Sequence, residues 1–303
     1  MKRSKTNYRG GEALVLSTSA LELVVTASVG PRVISLRSKE GDNVNVFHEF
    51  PADEVRSNGY SLRGGHRLWH SPEHNPRTYQ PDDLPLVVKE LPKGVSLTQP
   101  VEPKTGIQKG MRIELLGERT VKVTHTLTNR GLWPVETAPW ALTMLRAGGY
   151  GVLPLPPKGG PPRGDFPPAY SLVPGSHTDL ALPVWDLHRD FTGRDVPQAN
   201  QAQKLGITHY PGWSAYWIEG TTFVKFAGLI EGGRYPDLGC SFEAFTNGKL
   251  IELETLGTFD VLAPEATATH VEHWSLFDQL ERPDSPETFE ALAKVVGAWL
   301  KKI

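Results

Sequence analysis

One residue in 303 is a cysteine, Cys240, so no disulfide can form within the chain. That excludes a small secreted fold stapled by disulfides. Cys240 lies in an apolar, alternating stretch and reads as a small buried hydrophobe, not a nucleophile. Long apolar runs are also missing. A run such as Leu23–Val25 falls far short of the roughly 20 residues a membrane-spanning helix requires. Nor is there an excess of positive charge. Lys and Arg number 32 against 34 Asp and Glu, a net charge of -2, which argues against nucleic-acid and membrane partners. The start, MKRSKTNYRGGEALVL, is basic, but no uninterrupted apolar segment follows before Ser17 and Thr18. No secretory signal is read, and a cytoplasmic location is expected. The phosphate loop, the dinucleotide fingerprint and the nucleophile elbow are absent as well.

What the sequence does contain is alternation with period two. ALVLSTSALELVVTA, MRIELLGERTVKVTHTLTN, SAYWIEGTTFVKFAGLI, CSFEAFTNGKLIELETLGTFDVLA and THVEHWSLF are rich in β-branched and aromatic residues and bounded by Gly, Asn and Pro. Asn247-Gly248 is a strong hairpin signal, and Glu219-Gly220 and Gly117-Glu118 are two more. A single convincing helix is expected over 285–301. Ser285 would cap it, and Phe289, Leu292, Val296, Trp299 and Leu300 would form an apolar face packed on the outside of a sheet. Region 153–205 is rich in proline and glycine and reads as a functional loop or lid, or equally as a crossover with edge strands. The sum is an all-β chain, one antiparallel β-sandwich domain over 1–303 with a C-terminal helix.

The segment GGHRLWHSPEHNPRTYQPDD, from Gly64 to Asp83, concentrates titratable and aromatic side chains and reads as a loop carried by the β scaffold. His66, His70 and His74 fall at i, i+4 and i+8, but Pro72 and the two glycines oppose a helix that would align them as metal ligands. A metal held by His66, His70 and Glu73, or by the three histidines, is one reading. No tightly bound transition metal and no other cofactor are expected. The favoured reading is a sugar pocket. Arg67, His70 and Glu73 would bond hydroxyls, and Trp69 would lie against the sugar's C–H face. In GKLIELETLG, alternation places Glu252 and Glu254 on one strand face. Burying them together would raise at least one pKa, as acid–base catalysis near neutral pH requires; exposure to solvent is the plainer alternative. In THVEHWSLF, His270, Glu272 and Trp274 share a face.

The run PDLGCSFEAFTNGKLIELETLGTFDVLAPEATATHVEHWSLF resembles the closing half of galactose-mutarotase-like (aldose 1-epimerase-like) proteins. TLTNRGLWPVETAPWALTMLRAGGYGVLP and GGHRLWHSPE resemble their central and early stretches, so the likeness covers roughly Gly11 to Phe277. It implies a large twisted antiparallel β-supersandwich with a carbohydrate in its concave face. It also implies a late-strand glutamate as base, matching Glu254 with Glu252 as its neighbour. The family's acid histidine falls where this chain reads Thr137, Ala138, Pro139, Trp140 and Ala141. An acid must therefore come from His66, His70, His74, His188 or His209.

The expected function is a carbohydrate-active enzyme, an epimerase or mutarotase-like isomerase or a lyase. His70 or His66 would be the acid, Glu254 the base, and Arg67, Trp69, Glu73, Glu252 and Trp140 would bind substrate. Arg67, His70, Glu73 and Glu254 should line one cavity. An Arg67 free of glutamate partners would favour an acidic sugar. The alternatives are a carbohydrate-binding protein of the same fold that catalyses nothing, and a metal-dependent enzyme using His66, His70 and His74.

Overall fold

A computed structural model describes residues 1–51, 59–156, 172–182, 184–195, 201–208 and 211–303. Strand accounts for 51% and helix for 7%, far below the helical share of an average domain, as the alternation requires. The strands form two antiparallel sheets. At the centre of the first, His66–Ser71 pairs with Val135–Arg146, which pairs with Leu250–Leu256, followed by Phe242–Thr246 and Gln203–Ile207. At the centre of the second, Thr221–Phe226 pairs with Thr267–Asp278, then Thr120–Asn129 and Ile107–Leu115.

The core lies between the sheets, where Leu145, Ile251 and Leu253 of the first meet Phe223, Trp274 and Leu276 of the second. Thr120–Asn129 alternates strictly between buried and half-buried residues, the pattern of a strand with one face in a core. Leu250–Leu256 and His66–Ser71 are buried along their whole length, so both faces of these two strands are covered.

The turns follow the residues that make them. Glu219 and Gly220 both have positive φ, 47° and 79°, between Trp213–Ile218 and Thr221–Phe226. That is the twist a two-residue hairpin needs. Gly248, at φ 81°, joins Phe242–Thr246 to Leu250–Leu256.

The helix runs Pro286–Leu300. The Ser285 hydroxyl accepts from the Thr288 N–H at 3.2 Å, and the Thr288 hydroxyl accepts from the Ser285 N–H at 3.1 Å, a reciprocal cap. Phe289, Leu292, Val296 and Trp299 pack on Tyr150, Val152, Trp213 and Val224, the face of the second sheet turned away from the core. Region 153–205 contributes the strands Leu172–Pro174, Asp186–Leu187, Phe191–Asp195 and Gln203–Ile207; residues 157–171, 183 and 196–200 lie outside the described residues.

Gly64 and Gly65 carry φ of 91° and 68°. A Cβ on Gly65 would stand 2.2 Å from the Val33 carbonyl oxygen. Gly65→Ala is therefore expected to destabilise the chain by about 2–4 kcal/mol, read from the midpoint of urea unfolding. A change below about 1 kcal/mol would show that this entry into the His66 strand can shift.

Candidate functional site

The Gly64–Asp83 segment is not all loop. Its first part is the strand His66–Ser71, set between Arg32–Ser38 and Val135–Arg146. Successive side chains of a strand point to opposite faces, so its polar residues separate. Register fixes the two groups. Arg32, Arg67, Leu142, Glu254 and Glu243 stand opposite one another across five adjacent strands, on the face turned away from the second sheet. Trp69 and Trp140 pair on that same face. His66 and His70 point the other way.

On the outward face Glu254 is 1% exposed. Its Oε2 accepts from the Trp140 indole N–H at 2.6 Å and from Lys204 Nζ at 3.3 Å. Its Oε1 is buried with no partner among the described residues. Lys204 also pairs with Glu243 at 2.8 Å and lies 4.8 Å from the centre of the Trp140 ring. The exposed-strand alternative for Glu252 and Glu254 is thus excluded by their burial.

Arg67 is 2% exposed and lies over the Trp69 ring at 4.1 Å. Its Nη1 donates to the Leu62 carbonyl at 3.0 Å, while among the described residues Nε and Nη2 have no hydrogen-bond partner and no glutamate forms an ion pair with it. The neighbouring Arg32, by contrast, pairs with Asp82 at 2.7 Å. Trp69 donates to the Tyr60 hydroxyl at 3.0 Å and packs edge-on against Trp140 and Tyr79. The Tyr79 hydroxyl donates to Glu73, which stands exposed at the rim.

Three carboxyls here share one lysine. Burial, then the charge of Glu254, pushes Glu252 and Glu243 up to about 8. Desolvation opposes the charge on Lys204, but Glu254 and Glu243 reverse that effect and raise its pKa. Near neutral pH the site therefore holds a protonated carboxyl beside a carboxylate, the two partners that acid–base chemistry needs. Lys204 and the role of Glu243 are absent from the sequence reading. Alternation put Glu243 on a face with Ser241 and Phe245, but nothing local showed that Lys204 would arrive beside it from another strand.

The expected common cavity for Arg67, His70, Glu73 and Glu254 does not form, because His70 lies on the opposite face from Arg67 and Glu254. His70 stands 3.5 Å from Glu102, itself paired with Lys109, and burial lowers the histidine's pKa. With His74, Arg77, Gln80, Lys104 and Thr137, His70 lines a separate cavity of about 480 Å³. His66 faces the second sheet, 3.1 Å from His125. The three histidines thus do not converge on one point. His188 stacks on Phe191 beneath the C-terminal helix, away from Glu254. His209 lies outside the described residues. Among the described residues, no helix is long and apolar enough to cross a membrane.

No family model matches the sequence, and no curated protein matches it. Solved structures do match its fold. A galactose mutarotase-like protein from Clostridium acetobutylicum superimposes with a TM-score of 0.57 at 9% identity, over 91% of this chain and 98% of that one. One from Lactobacillus casei gives 0.53 at 12% identity, over 88% and 100%. A TPR-domain containing protein from Parabacteroides distasonis gives 0.62 at 12% identity, over 91% of this chain, which spans only 48% of that protein. The chain has the galactose mutarotase-like sandwich fold.

Proposed function

We propose that this chain binds a carbohydrate on the outward face of its first sheet and isomerises it there by acid–base chemistry, and that the sugar carries a carboxylate. The observation that carries the reading is the buried Glu243, Glu252 and Glu254 around a half-buried Lys204 beside the Trp140 ring, with Arg67 on the same face. Glu254 Oε1 is the free base and takes the proton of the anomeric hydroxyl. A protonated Glu252 or Glu243 gives a proton to the ring oxygen as the bond from that oxygen to the anomeric carbon breaks. Rotation and the reverse transfers close the other anomer, so no proton is gained or lost. These carboxyls stand in for the histidine expected as acid, since His66 and His70 face away. Trp69 and Trp140, 6% and 2% exposed, form the apolar wall behind these groups and not a platform open to the sugar.

The acidic substrate follows from charge. With Glu243 and Glu252 mostly protonated, Lys204 faces Glu254 and Asp237, and Arg67 is the cation left for a substrate carboxylate. The two unpartnered donors of Arg67 suit a carboxylate's paired oxygens.

A second reading, sugar binding without chemistry, is favoured by the Trp140 and Lys204 bonds that both fix Glu254 Oε2. Anomer exchange measured by NMR on a panel of hexoses and hexuronates separates the two. Glu254→Gln is expected to slow exchange by about 10²–10⁴-fold with binding retained. Arg67→Ala is expected to remove the preference for hexuronate. Binding with no accelerated exchange in the natural chain would leave the second reading standing. No sugar bound by the natural chain would remove both.

A further inference from the structure

We propose that His66, His125 and Glu272 hold a structural zinc ion between the two sheets. Nε2 of His66 and Nε2 of His125 are 3.1 Å apart, and Glu272 Oε2 lies 3.6 Å from the first and 3.5 Å from the second. Zinc bonds of about 2.0–2.2 Å in tetrahedral array set ligand atoms roughly 3.4 Å apart, so this triangle has the size of one tetrahedral face. All three residues are fully buried.

Hydrogen bonding alone accounts for the cluster poorly. One proton can lie between the two Nε2 atoms. Whichever ring donates it, His125 Nδ1 has no partner among the described residues, and a metal on Nε2 leaves that atom unchanged. The distances from both rings to Glu272 exceed the normal hydrogen-bond length of about 2.7–3.2 Å. A shared ion would be bonded by all three atoms at once.

The surroundings orient two of the three donors, His66 and Glu272, as a metal site requires. His66 Nδ1 meets the Thr143 hydroxyl at 2.8 Å, which turns Nε2 inward. Glu272 Oε1 is held by Lys225 Nζ at 2.9 Å and by the Thr255 hydroxyl, leaving Oε2 toward the rings, where Trp274 Nε1 also donates to it at 2.9 Å. His66 belongs to the first sheet, whereas His125 and Glu272 sit on adjacent strands of the second. The ion would tie the sheets together, with a water as fourth ligand. These are not the ligands the sequence suggested, since His70 and His74 take no part.

A closed site fills on folding. The test is to unfold the chain in guanidinium with a chelator, refold it with or without zinc chloride, remove free metal, and measure bound zinc by plasma emission. Refolding with cobalt(II) and recording its ligand-field absorption reports the geometry. The expected result is about one zinc per chain, a raised unfolding midpoint and a tetrahedral cobalt spectrum. His125→Gln should lower the retained zinc at least tenfold, and a His70→Gln, His74→Gln double variant should keep it. Failure of the natural chain to take up zinc on refolding would overturn the proposal even if His125→Gln does not fold. Full zinc retention by a folded His125→Gln would overturn it too.

Discussion

Glu252→Gln is expected to be more stable than the natural chain at pH 8, by about 2–4 kcal/mol, and to lose most of the decline in stability on the alkaline side. Glu252 is buried, and its carboxyl is raised from 4.5 to about 8, first by desolvation and then by the charge of Glu254. Between those values the folded chain keeps a proton that the unfolded chain has released. The contribution is therefore full below pH 4.5 and is lost as pH rises through about 8. The whole gap corresponds to about 5 kcal/mol. Glu243 is raised to about 8 by the same Glu254, so removing one charge relaxes the other, and the gain from a single change is smaller. Glutamine keeps the shape and hydrogen-bonding capacity but cannot ionise. His70, lowered by burial, acts in the opposite sense: its contribution is lost as pH falls below 6.5. Guanidinium unfolding at pH 6.5, 7.25 and 8 isolates the carboxyls. Equal slopes of stability against pH for the two proteins would mean that Glu252 ionises without penalty, and the acid it supplies to the proposed chemistry would disappear with it.

The strands and hairpins were legible because local chemistry sets them. Alternation identified Thr120–Asn129 and Leu250–Leu256 as strands, and Asn247-Gly248 and Glu219-Gly220 as turns. The C-terminal helix followed from Ser285, Pro286 and its apolar stripe. The site was legible only in part. Glu252 and Glu254 share a face because a strand has period two, and no partner need be known to say so. Their burial depends on neighbours from other strands, Trp140 and Lys204 at Glu254, which no local pattern announces. Reading His66–Ser71 as loop was the consequential error. The two glycines, the prolines and the density of polar groups concealed a strand whose polar residues serve two separate faces. With the strand assigned, the same alternation separates Arg67 and Trp69 from His66 and His70. Lys204 could not be anticipated, since its neighbours Glu243 and Glu254 come from strands about 40 and 50 positions later.

Lys225→Met is expected to destabilise zinc-free protein by about 3–5 kcal/mol, because it strands a carboxylate in the core. Lys225 is fully buried, and its ammonium spans the sheets. From the second sheet its three N–H groups serve the Ala141 and Leu253 carbonyls at 3.1 and 3.0 Å and the Thr143 hydroxyl at 3.0 Å, and it forms an ion pair with Glu272 at 2.9 Å. Burial opposes the charge on both partners, yet Lys225 and the nearby histidines hold Glu272 well below the ordinary carboxylate range. Without the lysine, Glu272 must remain charged in a dry core or take up a proton, and two carbonyls lose a donor. Combining Lys225→Met with Glu272→Gln removes the stranded charge. The double variant should recover about 2 kcal/mol or more of the loss, a coupling that independent sites would not show. Chelator is kept in every sample so that no metal ion replaces the missing ammonium. Strictly additive losses would mean that Lys225 serves the carbonyls of the first sheet and contributes little to keeping Glu272 charged.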